Sequence, residues 1–194
     1  VTAHDVLVFW LGDGPPLANA AKWYKRDDAF DAEIRARFGD AIDAASRGEL
    51  ESWKTTARGR LAFIVLCDQF SRNVFRGTPR AFAQDALAVE TTERALDAGD
   101  WNELACVEKQ FLLMPLMHAE DRARQTRSVE LFGKLAAEAP PDLVANAENA
   151  VKYARMHADV VERFGRFPHR NTILARETSP EEAEALKDPK SSFG

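Results

Sequence analysis

The chain has little cysteine, no apolar run long enough for a membrane, and no excess of positive charge. Its 194 residues include two cysteines, Cys67 and Cys106, each inside an apolar stretch, and no Cys-x-x-Cys. That excludes a disulfide framework, a zinc knuckle and a dithiol motif, and leaves two buried, reduced thiols as the expectation. The longest apolar runs, Leu61–Cys67 and Phe111–Met117, are seven residues each, against the roughly 20 that a membrane span takes. Lysine and arginine number 26 against 31 acidic residues, a net charge of −5, so the basic footprint of a nucleic-acid binder is missing. Ten glycines and nine prolines leave little turn material for a β-sandwich. Alternation of apolar and polar residues is almost absent as well. The opening Val1-Thr2-Ala3-His4-Asp5 shows no cationic stretch before an apolar core, which makes the cytoplasm the expected compartment.

Helical periodicity fills the space those absences leave, and the spacing predicts an all-α chain. A first helix covers about Ala3 to Leu11 and ends at Gly12-Asp13-Gly14-Pro15-Pro16. Asp27 or Asp28 caps a second, with Phe30, Ile34 and Phe38 at i+4 until Gly39 interrupts it and Asp40 restarts it. Thr55 or Thr56 caps a long helix to Arg76. Further helices run from Arg80 to Gly99 and from Asp100 through Met114, with Pro115 expected to kink or split the latter. Helix resumes to about Glu138, and again from Asp142 to Arg163. Ser179, Pro180 and Glu182 spell a capping box with proline at the first helical position. Short loops between helices of ten to twenty residues make antiparallel hairpins the expected packing. No internal repeat is legible, and one domain over 1–194 is expected.

Several polar residues fall where apolar ones belong. At about 100° per residue, Asp68 and Arg72 lie within about 20° of the stripe that Leu61, Ile64 and Val65 define, with Arg76 near its edge. Phe63, Leu66, Phe70 and Val74 form a second apolar face, as in a helix central to its domain. From Phe111 the pattern repeats: Phe111 and Met114 begin a stripe that His118, Asp121, Arg122 and Gln125 continue. A third contribution is Arg163, Arg166, His169, Arg170 and Asn171, three arginines in a span that itself holds no acid. Arginine's planar donor fork suits a carboxylate or a phosphate. These three stretches are expected to meet in one enclosed cavity with an ionisable rim. The bland alternative is that each is a structural bridge, Asp68 and Arg72 being only an i, i+4 pair.

At these residues the chain resembles a known family. Asp68-Gln69-Phe70-Ser71-Arg72-Asn73-Val74-Phe75-Arg76-Gly77 is similar to the Asp-Gln-Phe-Pro-Arg-Asn-x-x-Arg-Gly block of the bacterial family called domain of unknown function 924. Phe9-Trp10, Trp53, Met117-His118-Ala119-Glu120-Asp121 and Phe164-Gly165-Arg166-Phe167-Pro168-His169-Arg170-Asn171 match further blocks in order, over about residues 5–188. The resemblance implies an all-helical fold like tetratricopeptide-repeat arrays, and it implies that the polar blocks are the family's signature. It implies no reaction. Ser71 stands where the family usually has proline, Ala119 where serine is usual, and Ala175 where glycine is usual. The second departure removes a serine nucleophile.

No phosphate-cradling glycine loop, nucleophile elbow, His-Glu-x-x-His or paired Glu-x-x-His is present. His118, His169 and Asp121 are imaginable as metal ligands, but no metal site and no cofactor is assigned. Three readings remain. In the first, a small anionic molecule is held by Arg72, Arg76, Arg166 and Arg170 and oriented by Asp68, Gln69, Asn73, Gln125 and Asn171. In the second, the same pocket is catalytic, with His118 or His169 as general acid or base and Asp121 holding the imidazole. In the third, the helical array is a scaffold gripping a peptide or protein partner, and the polar cluster serves structure. Trp10, Trp23, Trp53 and Trp101 fit that idea weakly, since each is more readily a packing residue.

Overall fold

The computed structural model describes residues 1–188, which are helical with no strand among them. They pack as two compact units, Val1–Arg76 with Arg80–Pro115, and Gly77–Pro79 with the chain from Leu116 onward. No described helix is long and apolar enough to cross a membrane.

The first unit opens with α1 (Ala3–Leu11). Thr2 Oγ accepts from Asp5 N and the Asp5 carboxylate accepts from Thr2 N, a capping box that fixes the start. Gly12, at φ +87°, ends it in a conformation that favours glycine. After the short α2 (Ala20–Trp23), α3 (Asp28–Ser46) begins under Asp27, whose carboxylate accepts from Ala29 N and Phe30 N. Gly39 does not interrupt α3 as expected. Glycine costs a helix only about 1 kcal/mol, and the buried stripe of Ile34, Phe38, Ala41, Ile42 and Ala45 carries the helix through it.

A 3₁₀ turn (Glu51–Thr55) leads into α4 (Ala57–Ile64), capped by Thr56. The long helix expected to reach Arg76 changes form at Val65: residues Val65–Phe70 make a π-helix, followed by α5 (Ser71–Val74). Every residue from Leu61 to Ser71 is buried, so this rod is the centre of its unit, as its two apolar faces required. Next come a 3₁₀ turn (Pro79–Phe82), α6 (Asp85–Asp97), a 3₁₀ turn (Asp100–Asn102) and α7 (Cys106–His118). Asp100 does not cap α7; its carboxylate holds the Arg60 guanidinium at 2.6 Å. Pro115 lies inside α7 without splitting it.

Aromatic rings fill the core of this unit. Trp10 meets Phe70 and Phe111 edge-on at 5.6 and 5.7 Å, and Trp23 Nε1 donates to Trp10 O at 2.8 Å. Trp10, Trp23 and Trp101 are buried and Trp53 is half-buried, so the tryptophans are packing residues. Cys67 is buried with Sγ 3.1 Å from Gln84 Oε1, and burial raises its thiol pKa well above the usual range. Cys106, expected to be buried, is half-exposed at the start of α7.

The second unit is built on a helical hairpin, α8 (Arg122–Ala137) against α9 (Val144–Phe164). Gly165, in the left-handed region at φ +69°, closes α9. A 3₁₀ turn (Pro168–Arg170) follows, then α10 (Pro180–Ala185), whose Ser179–Glu182 capping box is formed as read from the sequence. Between them Ala175 sits at φ +52°, the one non-glycine residue with positive φ among the described residues. A left-handed alanine is strained by about 1 kcal/mol. Ala175→Gly is therefore expected to stabilise the fold by up to about 1 kcal/mol, seen as a higher denaturation midpoint at unchanged slope.

Candidate functional site

The π-helix sets the geometry of the first polar cluster. Such a turn closes i→i+5 bonds and recurs at functional sites, and here it carries Asp68 and Gln69 into the interior, 1% and 6% exposed. Arg72 Nη1 lies 2.8 Å from Asp68 Oδ1 and donates to Asp68 O at 2.9 Å, while Nη2 donates to Asp85 Oδ2 at 3.0 Å. Gln69 Nε2 donates to the Asp68 carboxylate and reaches Met114 Sδ at 3.5 Å. One turn on, Asn73 Nδ2 donates to Asp31 Oδ1 at 2.7 Å and Arg76 Nε to Asp31 Oδ2 at 3.0 Å. Arg72 and Arg76 were read as forks for an external anion. Carboxylates of the chain itself occupy both forks. Burial lowers the affinity of Arg72 for its proton, but Asp68 and Asp85 outweigh that and raise it. Asp31 and Asp85 were missed in the sequence, since each sits in the first turn of a helix, where an acid reads as a dipole partner.

The second unit gathers a different set around residues 117–119. Gln125 Nε2 donates to Met117 O and to Ala119 O, both at 2.7 Å, and Arg170 Nη2 donates to the intervening His118 O at 3.0 Å. The Arg170 guanidinium lies 4.5 Å over the Phe167 ring and is 5% exposed. The His118 and His157 rings are 5.9 Å apart, and Phe167 meets His157 at 5.5 Å and His169 at 5.7 Å. Three of the chain's four histidines thus share a cluster with a buried arginine. His157 was not singled out in the sequence, because a lone histidine on an apolar helical face gives no signal. Its Nδ1 lies 2.8 Å from Tyr153 O, which can only accept, so Nδ1 carries the proton and Nε2 presents a lone pair. Burial and the nearby His118, with Arg170 and His169, push its pKa down to about 3. It is neutral at ordinary pH.

Around this cluster the remaining charges are paired. Arg166 binds Glu182 in a two-point fork at 2.7 and 2.9 Å, and Asn171 Nδ2 approaches the same carboxylate at 3.3 Å. Arg166 first, then the Ser179 N–H and the Asn171 amide, hold the Glu182 carboxyl at about 2. Arg163 pairs with Glu181 at 2.9 Å. The acids missing beside these arginines in sequence are supplied by α10, which corrects the expectation of an acid-free lining for Arg163 and Arg166. Glu120 accepts from Arg176 at 2.7 and 2.9 Å and from Phe167 N at 2.8 Å. Burial raises its pKa, but Arg176, the Phe167 N–H and Arg170 together lower it.

Asp121 is placed differently from its expected role. The helix breaks after His118, and Asp121 is the N-cap of α8, its carboxylate accepting from Arg124 N at 2.8 Å. That cap, not an imidazole, takes the carboxylate. Among the described residues no three His, Cys, Asp or Glu side chains are placed to hold a metal ion. The first unit thus joins Asp68, Gln69 and Arg72, and separately Asn73 and Arg76. The second joins His118, Gln125, His169 and Arg170, and separately Arg166 and Asn171.

Comparison with known proteins follows the same lines. Residues 6–190 match the profile of the family described as bacterial protein of unknown function (DUF924). No curated protein matches. A solved structure of a protein of unknown function from Agrobacterium tumefaciens is 40% identical, with a TM-score of 0.83, covering 95% of this chain and 96% of that one. A profile match over nearly the whole length, with the signature blocks on the two polar clusters, makes this chain a member of the DUF924 family.

Proposed function

We propose that the second unit binds a small anionic molecule at the cluster of His118, His157, His169 and Arg170. The observation that supports this reading is the gathering of three imidazoles and a buried guanidinium around Phe167, close enough that the others each weaken proton binding at His157. A buried guanidinium gathered with imidazoles, at a cost in stability, is characteristic of binding sites. Arg170 supplies the permanent charge. His118 and His169 are the groups able to move a proton on a bound ligand, and neutral His157 forms a hydrogen-bonding wall. Asp68, Gln69, Arg72, Asn73 and Arg76 take the structural role of holding the π-helix, while Arg166 and Asn171 tie α10 to the loop before it.

Succinate is a suitable probe, with potassium chloride at equal ionic strength as control. At a hundredfold excess over Kd, binding is expected to raise the melting temperature by about 5–10 °C. Arg170→Met keeps the contact with Phe167 and is expected to abolish that rise, and His169→Gln to reduce it. An equal rise in all three proteins, or none in the wild type, overturns the reading.

A further inference from the structure

The fold surrounds His157 with groups that oppose a positive charge on it. The residue is 5% exposed, on the α9 stripe that Ala150, Ala154, Val160 and Val161 also form. The end of α7 brings the His118 ring to 5.9 Å. The 3₁₀ turn brings His169 and Arg170, and each of these three cations, the imidazoles once protonated, weakens proton binding at His157. From α8 the buried residues are Gln125, Ser128, Phe132 and Leu135, none of them titratable. Glu120, on the turn before α8, gives its carboxylate to Arg176 and to Phe167 N. With Nδ1–H directed at Tyr153 O, a second proton would enter at Nε2, inside this apolar and cationic surround.

The same ring supports the chain that follows α9. Phe167, fully buried, meets it edge-on at 5.5 Å and packs with Val160 and Val161. Arg170 in turn lies over Phe167 and donates to His118 O. A charged His157 ring is stable only after turning out to solvent. Its departure removes the wall against which Phe167 rests.

We propose that His157 is an acid-sensitive latch: on taking up a proton its ring leaves the cluster and releases Phe167 with the 3₁₀ turn Pro168–Arg170. The latch acts in the free protein and does not depend on the anion-binding reading. Its ring titrates at about 3 in the closed fold and near its ordinary 6.5 once open. Between those values the open state holds more protons, so opening grows about tenfold for each unit that pH falls. The stability that neutral His157 confers is complete above 6.5 and is lost as pH falls towards 3. Glu120 and Glu182, whose carboxyls the fold holds below their ordinary 4.5, begin to lose their contribution only beneath that value. A comparison of pH 8 with pH 5 therefore reads the imidazole.

Hydrogen exchange at those two pH values, corrected for intrinsic rates, follows the latch at the amides of Phe167, Arg170 and Asn171. These donate to Glu120 Oε1, Phe167 O and Pro168 O. In the wild type their protection is expected to fall about thirtyfold from pH 8 to pH 5, while amides of α4 change less than about threefold. His157→Gln, which keeps a side-chain donor for Tyr153 O, is expected to hold the fall below about threefold. Unchanged protection in the wild type, an equal fall in α4, or an undiminished fall in His157→Gln each overturns the latch. Imidazole nitrogen NMR of the wild type needs no variant. The neutral Nδ1–H form of His157 is expected to persist in the folded protein at pH 5, and a titration midpoint near 6.5 overturns the proposal.

Discussion

Gly59→Ala is expected to destabilise the protein by about 3 kcal/mol or more, at the upper end of overpacking losses. A Cβ built on Gly59 would stand 1.9 Å from Trp53 O, and 2.9 Å from both Trp53 C and Thr56 Oγ1. The obstacle is backbone, so no rotamer change relieves it. The 3₁₀ turn that carries Trp53 cannot retreat freely either, since Arg60 Nη1 donates to Lys54 O at 2.6 Å while Arg60 also binds Asp100. A loss of that size is a large share of the roughly 5–15 kcal/mol that holds a domain folded. Gly39 is the matched control, a helical glycine with nothing within 4 Å of its added Cβ. Gly39→Ala is expected to gain up to about 1 kcal/mol by improved helix propensity. Urea unfolding of both variants checks the contrast, and similar small changes would show that the approach of Trp53 to α4 is soft.

Arg72→Leu is expected to cost about 3–5 kcal/mol, the range for removing one partner of a buried ion pair. The guanidinium is shared by Asp68, 1% exposed, and Asp85, and it also satisfies the Asp68 carbonyl. Its loss leaves two carboxylates facing each other with no cation between them. Adding Asp68→Asn is expected to recover part of the loss, since an amide removes one of the two charges, and the double variant should therefore be more stable than Arg72→Leu alone. Equilibrium unfolding at neutral pH reads both. A loss below about 1 kcal/mol for Arg72→Leu, typical of exposed pairs, would show that the cluster contributes little to folding.

Much of the architecture was legible along the chain. The all-α class followed from periodicity. The cap at Asp27 or Asp28, the cap at Thr55 or Thr56 and the capping box at Ser179 were written in local chemistry, which acts over three or four residues; the structure takes Asp27 and Thr56. The π-helix was not legible for a corresponding reason. Val65–Phe70 lies in a stretch buried on every side, so no polar face marks how many residues each turn contains. Gly39 misled because a propensity of about 1 kcal/mol yields to a buried stripe. The clusters show the same division. That Asp68, Arg72 and His118 are interior or nearly so could be inferred from rotation about a helix axis. Their partners could not. Arg76 finds Asp31 across 45 residues, Arg166 finds Glu182 across 16 and Arg176 finds Glu120 across 56. Such pairs depend on tertiary placement, which is why arginines that looked available for a ligand were already engaged. His157 and Ser128 were silent for the opposite reason, as single polar residues on otherwise apolar stripes.

The change of pitch at Val65 also bears on how this chain can vary in length. A π-turn holds more residues than an α-turn, so losing one residue from Val65–Cys67 lets the rod run on as ordinary α-helix with its apolar packing nearly intact. Downstream residues would keep close to their angular positions, because the residue removed is the extra one that the π-turn accommodates. A one-residue loss from the α-helical Ala57–Ile64 would instead swing everything beyond it by about 100°, carrying Arg72 off Asp85 and Arg76 off Asp31. Natural length variation along this rod should therefore be tolerated at the π-turn and avoided in the α-helix before it.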